Sequence, residues 1–263
     1  MQTTYPTDLT NLEWQLLEPH LRSFKPSPAR KRDARTILNA IFYVLRGGNA
    51  WRLMPSDFPK WQIVYHYWRI WRLEGIWEDL NNALRERVRV AEGRDPQLSA
   101  CSLDSQSART TPNGGERGYD GYKRVNGRES FTLMDTLGLV MRVQITPANL
   151  KETDGGMDLL QGAKLEFPRV EKLWADQGFR LWEFNAWVGG ALCWDLELTS
   201  GVGKPGQAGF RVAAKRWVVE RTFAWLSRFR RLTRDYEVLA ETTACVVYAC
   251  MTRLMISRLA RVC

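Results

Sequence analysis

The sequence predicts an α/β protein in two parts, an all-helical region over residues 1–95 and a mixed α/β layer over residues 96–263. Three observations predict it. Apolar residues recur with the helical period of about 3.6 as far as Ala91. The run Gly93-Arg94-Asp95-Pro96-Gln97 then breaks the chain. Beyond Gln97 short strand-like runs alternate with helical segments, the order of a mixed sheet flanked by helices rather than of an all-β sandwich.

In the first part, Thr10-Asn11-Leu12-Glu13 matches a capping box and opens a short helix to about Leu21. A basic, proline-containing linker follows to Arg32. Asp33 starts a second helix whose Ile37, Ile41, Val44 and Leu45 fall on one face, and Gly47-Gly48 stops it. A third spans Lys60 to Leu73, with Trp61, Val64, Trp68 and Trp71 to one side and Arg69 and Arg72 elsewhere; Leu80 to Ala91 continues the helical region. Three short helices with a glycine turn and arginines on the last suit a helix-turn-helix module, with Arg69 and Arg72 as its DNA contacts. An ordinary bundle with tryptophans in its core fits equally, and the tryptophans are expected to be core.

In the second part, Leu98 to Asp104 reads as a strand ending in an acid. A glycine-rich loop follows, with Lys123, Arg124 and Arg128, and it matches no nucleotide-phosphate fingerprint. Strands to Asp135 and Thr146 come next, then a helix from Thr153 to Leu165. Val170 to Asp176 is a further strand ending in an acid, Trp182 to Gly189 a helix, and Ala191 to Leu198 a strand. A flexible loop, 201–209, precedes a helix from Lys215 to Arg231 and a last one from Thr242 to Leu259.

Charge restricts the partner. With 38 Lys or Arg against 29 Asp or Glu, the formal charge of +9 points to a polyanion. No stretch is read as a membrane span and the N-terminus lacks the layout of a signal peptide, so nucleic acid is expected rather than a membrane, in the cytoplasm. Five cysteines without a CxxC pair and two histidines argue against a zinc site and leave little scope for histidine chemistry. An active site here is expected to be built on carboxylates.

The candidates are Asp104, Asp176 and Glu220. Neighbouring parallel strands that each finish in a carboxylate put both at one sheet edge, where a crevice opens. Glu220 is the one acid between Lys204 and Arg234, a segment with nine Lys or Arg that include Arg216, Arg221, Arg228, Arg230 and Arg231. Arg216 and Glu220 share a helix face, so an exposed ion pair explains them as well as a site does. Hard oxygen donors without His or Cys select Mg²⁺, with Mn²⁺ as a substitute. Two such ions, about 3.5–4 Å apart, suit an in-line phosphoryl displacement. The arginines and Lys123 would neutralise a DNA backbone around it.

Leu103-Asp104-Ser105-Gln106-Ser107, Arg117-Gly118-Tyr119-Asp120, Asp135-Thr136-Leu137-Gly138-Leu139, Trp174-Ala175-Asp176 and the run from Arg216 to Leu226 resemble the DDE transposases of bacterial insertion sequences, of the insertion-sequence-five type. The resemblance covers nearly the whole chain, and Leu12-Glu13-Trp14, Leu38 to Arg46, Trp51-Arg52 and Asp57-Phe58-Pro59 resemble that family's N-terminal DNA-binding segment.

It implies a ribonuclease-H-like catalytic core preceded by a small helix-turn-helix-like domain, with Asp104, Asp176 and Glu220 as metal-binding catalytic triad. It also implies binding of double-stranded DNA at terminal inverted repeats, cleavage at the element ends, joining of the 3′-OH to target DNA, and a homodimer or larger assembly on DNA. Arg216 fits the Arg of the wider group's Tyr-Arg-Glu-Lys signature, whereas Ala213 stands at the Tyr position and Ser227 at the Lys position, with Arg228 next. Arg128-Glu129-Ser130-Phe131 replaces a more basic stretch. A ribonuclease-H-like nuclease without strand transfer and a catalytically silent DNA-binding protein of transposon origin are the alternatives.

Overall fold

The computed structural model describes residues 5–21, 33–112, 115–199 and 216–262. The proline-containing linker, the 201–209 loop, Ala213 and Lys215 lie outside them. The described chain divides into two compact units.

The first unit comprises residues 1–94, 226–234 and 245–263. Helix α1 (Asn11–Leu17) has the expected capping box, with Glu13 N donating to Thr10 Oγ1 at 3.2 Å and Thr10 N to Glu13 Oε2 at 2.9 Å. Helix α2 (Ala34–Gly47) is capped by Asp33 Oδ1, which accepts from Thr36 N at 2.7 Å, and ends at left-handed Gly48. Helices α3 (Trp61–Leu73) and α4 (Ile76–Ala91) are joined by a turn through Gly75, also left-handed. Of the predicted stripe, Trp68 and Trp71 are core, whereas Trp61 at the start of α3 is only half-buried. Trp68, Trp71 and Trp77 are buried, with ring centroids of Trp68 and Trp77 5.2 Å apart, and Ile37, Ile41, Val64, Leu80 and Leu84 fill in around them.

The last helix, which we number α9 (Ala240–Val262), contributes residues from Cys245 onward to this unit. The boundary expected near Gly93 therefore leaves out two C-terminal segments. By length and composition alone, Ala240–Arg261 is apolar enough to cross a membrane, a feature the sequence reading passed over; 56% of its apolar window is buried inside the fold. Its Arg253 reaches Glu13 Oε1 at 2.6 Å.

The second unit holds residues 95–225 and 235–244. Its strands are β1 (Ala100–Arg109), β2 (Gly118–Asp120), β3 (Val125–Asp135), β4 (Val140–Pro147), β5 (Lys172–Ala175) and β6 (Asp195–Leu198). They form one sheet in the order β2-β3-β1-β5-β6, with β4 pairing β3. The pairs β1·β3 and β3·β4 are antiparallel, whereas β1·β5 and β5·β6 are parallel. An antiparallel meander followed by parallel strands, with helices α5 (Glu152–Leu160), α6 (Ala163–Glu166) and α7 (Trp182–Trp187) in the crossovers, is a ribonuclease-H-like layout. The core under the sheet joins Leu103, Phe131, Leu133 and Leu173 to Leu160, Phe179 and Phe184.

Several elements differ in extent from expectation: the helix expected from Thr153 to Leu165 is split into α5 and α6, and the strand expected from Ala191 is only Asp195–Leu198. β1 runs on to Arg109 instead of ending at Asp104, because Ser105 to Arg109 keep their antiparallel partners on β3. The helix expected from Lys215 to Arg231 is described as α8 (Arg216–Leu226), with a separate 3₁₀ turn at Arg230–Leu232.

Candidate active site

The parallel register fixes two of the three predicted acids. β1 and β5 pair from Ala100 with Lys172 to Leu103 with Ala175, so the next residues on the two strands are Asp104 and Asp176. There β5 ends. Asp176 caps a 3₁₀ turn, its Oδ1 accepting from Gly178 N at 2.9 Å, and Asp104 Oδ1 accepts from Ser105 N at 2.7 Å. Burial pushes the Asp104 carboxyl up to about 7; the charges of Asp176 and Glu152 push the same way, while the Ser105 amide and Arg216 pull it back.

Glu220 arrives on α8, which is seated by the Asp135–Leu139 turn. Asp135 Oδ1 accepts from the amides of Leu137 at 2.9 Å and Leu139 at 2.8 Å, shaping a turn in which Gly138 has φ +78°. Thr222 Oγ1 then donates to Gly138 O at 2.8 Å, and Arg221 Nη2 to Leu137 O at 2.9 Å. With Val218 and Thr222 buried, Glu220 faces outward, 68% exposed, and its Oε1 lies 3.4 Å from Arg216 Nε. Arg216 is thus the cation shared between Asp104, whose carboxyl it stabilises as an anion, and Glu220. The structure brings Asp104 and Asp176 together and leaves Glu220 on Arg216. Among the described residues, no three acidic, His or Cys side chains close around a common point for a metal ion.

A second carboxylate group lies beside the aspartates. Lys123 Nζ sits 2.5 Å from Glu129 Oε1, 3.2 Å from Glu152 Oε1 and 3.9 Å from Asp120 Oδ2. Ser105, next to Asp104, donates through Oγ to Glu129 at 2.9 Å and to Glu152 at 3.2 Å. Asp120, Lys123, Glu129 and Glu152 border a cavity of about 280 Å³ that Tyr119, Tyr122 and Asn149 also line. Sequence reasoning missed Glu152, since an acid at a helix start reads as a favourable dipole partner and nothing more.

Three stretches of the chain, two of them overlapping, match known families. Residues 9–81 match a putative transposase family of IS4/5 type, and residues 95–188 and 173–257 match two transposase DDE domain families. Over 114 residues, covering 40% of this chain and 75% of the relative, it is 30% identical to the insertion element IS402 uncharacterized 16.2 kDa protein of Burkholderia cepacia. The chain belongs to the DDE transposases of the IS4/5 type.

The basic residues of this transposase differ in their surroundings. Arg128 is only 3% exposed, so it is not the free phosphate contact its sequence context suggests. Its guanidinium donates to Asp235 Oδ2 at 3.0 Å and to the carbonyls of Glu116 at 2.8 Å, Glu237 at 3.0 Å and Val238. Arg231 is buried as well, donating to Asn49 O at 3.2 Å within the helical unit. Arg221 lies 4.2 Å from the Trp217 ring centroid and 4.6 Å from that of Trp225, and burial there lowers its pKa. Lys123 is held by carboxylates. Arg69, Arg124, Arg216, Arg228 and Arg230 are exposed and Arg72 is half-buried.

Of the transposase's departures from the wider signature, Ala213 lies outside the described residues and Ser227 is exposed on the chain just after α8. Glu129 and Phe131 have structural roles. Glu129 anchors Lys123, and Phe131 is buried so tightly against α5 that a side chain at Gly155 would collide with its ring.

Proposed function

We propose that this transposase binds the terminal inverted repeats of its own element, cleaves DNA at the ends and joins the 3′-OH to target DNA, with Asp104, Asp176 and Glu220 as its catalytic acids. The observation carrying this reading is the parallel β1·β5 register, which delivers Asp104 and Asp176 side by side from strands whose own sequences are 72 residues apart in position. The donor set fits Mg²⁺ or Mn²⁺. Asp104, Asp176 and Glu220 offer only hard oxygens, and a carboxyl pushed up to about 7 beside a second carboxylate is one whose anion a divalent cation would stabilise. Such ions, when bound, supply an activated attacking oxygen and charge for the leaving one.

The chain's own residues do the rest. Asp104 and Asp176 are pre-set by backbone amides, so their oxygens need little reorganisation to bind. Glu220 is exposed and held by one partially exposed ion pair, an interaction worth about 1 kcal/mol or less, and we propose that it leaves Arg216 when cations and DNA load. Arg216, released, is then a free cation beside the substrate phosphates. Arg69, Arg72, Arg124, Arg228 and Arg230 are the proposed backbone contacts, acting on a protein that works in the cytoplasm as a dimer or larger assembly on DNA.

Labelled element ends, a target plasmid and Mg²⁺ test the reading. Joined products are expected. Nicks without joining would point to a nuclease, and a salt-sensitive gel shift without cleavage to a DNA-binding protein that has lost its chemistry.

A further inference from the structure

Glu152 opens α5 directly beside the paired aspartates. Its Oε1 is fixed by two donors, Ser105 Oγ and Lys123 Nζ, each at 3.2 Å. Its Oε2 lies against the backbone of Gly178, where a methyl group would collide with it and would stand 3.0 Å from Asp176 Oδ1. The same glycine amide donates to Asp176 Oδ1 at 2.9 Å. One carboxylate oxygen of Glu152 is therefore held by the residue after Asp104, and the other rests on the turn that orients Asp176. Glu152 also keeps 29% of its side chain open to solvent and lines the cavity of about 280 Å³. It is ion-paired with Lys123, whose ammonium is shared with buried Glu129.

We infer that Glu152 is a further positioning residue of the candidate active site, its negative charge strengthening divalent-cation binding at Asp104 and Asp176 while the Lys123 ammonium partly cancels it. This rests on the metal-binding reading of those two aspartates. A unit charge several ångströms from a bound dication, in a half-solvated site, changes its affinity by roughly tenfold. Removing Glu152's charge weakens the cation, and removing that of Lys123 tightens it. A residue that merely held the fold together would give no such reversal of sign.

The test is Mn²⁺ titration of the DNA-free protein, followed by electron paramagnetic resonance, with thermal melting to verify folding. Relative to wild type, Glu152→Gln is expected to raise the Mn²⁺ Kd roughly tenfold, Glu152→Asp to restore most of the affinity, and Lys123→Met to lower the Kd by a similar factor. Unchanged affinity in Glu152→Gln, or weaker binding in Lys123→Met, overturns the inference; should Glu152→Gln not fold, Lys123→Met decides alone. Asp176→Asn runs alongside as the check on the underlying site. If it binds Mn²⁺ like wild type, the site itself is misassigned and the inference falls with it; if it loses Mn²⁺ while both charge variants bind normally, only the role of Glu152 fails.

Discussion

At the scale of single residues, Asp104 concentrates the cost of building this site. Its carboxyl, ordinarily near 3.8, is raised to about 7 by burial and by its acidic neighbours. A folded-state pKa above the unfolded one means that the native protein binds more protons across that interval. Stability is accordingly full below about 3.8 and declines as pH rises through about 7, by up to about 4 kcal/mol for a shift of this size. Asp104→Asn removes the penalty. In chemical denaturation it should be more stable than wild type at pH 8, with the advantage fading by pH 4; a constant difference across that range would refute the assignment. Mg²⁺ should narrow the gap at pH 8 by stabilising the wild-type anion. For Asp176→Asn, gel shifts should persist while strand cleavage is lost, and cleavage at a near-normal rate would remove Asp176 from the chemistry. Arg128 makes the opposite point. It is a buried ion pair with Asp235 at 3.0 Å, so Arg128→Met leaves an uncompensated acid and should destabilise by about 3–5 kcal/mol in urea titration. A surface DNA contact would instead lose binding with little loss of stability.

At the scale of elements, the Asp135–Leu139 turn matters because it seats α8 and hence Glu220. Gly138 sits at φ +78° with a would-be Cβ 2.5 Å from Thr222 Oγ1, so Gly138→Ala is strained in backbone and in space. It should cost about 2 kcal/mol or more and reduce cleavage beyond what the stability loss explains; a variant with wild-type melting and activity would show that the seat is unimportant. Much of this level was legible in the sequence. The capping box at Thr10, the glycine stop of α2 and the tryptophan stripe of α3 are local patterns, and local patterns survive folding. What was not legible depends on distant partners. Ser105 to Arg109 lack strand-like alternation and are extended because β3 pairs with them. Arg128 looked like a loop cation since Asp235 lies 107 residues away in the chain. Glu152 carried no signal beyond its helix-start position, and the fold alone brings it Ser105, Lys123 and the Gly178 turn.

At the scale of the whole molecule, the charge of +9 is distributed between structural and available cations. Arg128 and Arg231 are buried, and Lys123 is neutralised by Glu129 and Glu152, so the exposed arginines are the ones proposed to meet DNA. Binding to the element ends should therefore weaken steeply with salt, and each exposed arginine that contacts a phosphate should reduce the magnitude of the log–log slope by about 1 on replacement. Arg69→Ala with Arg72→Ala should erase the footprint on the terminal repeats. An unchanged footprint would locate end recognition elsewhere. The order of a helical unit and a ribonuclease-H-like unit was readable from the shift in periodicity near Gln97, whereas the return of residues 226–234 and 245–263 to the helical unit was not, since periodicity describes neighbours in sequence alone.

The central claim is that Asp104, Asp176 and Glu220 share divalent ions once DNA is bound, and anomalous scattering from Mn²⁺ in a complex with an element-end duplex tests it most directly. Mn²⁺ peaks within coordination distance of all three carboxylates, with Glu220 parted from Arg216, are the predicted result. Mn²⁺ bound elsewhere, or Glu220 still paired with Arg216 in a DNA-loaded complex, would contradict it.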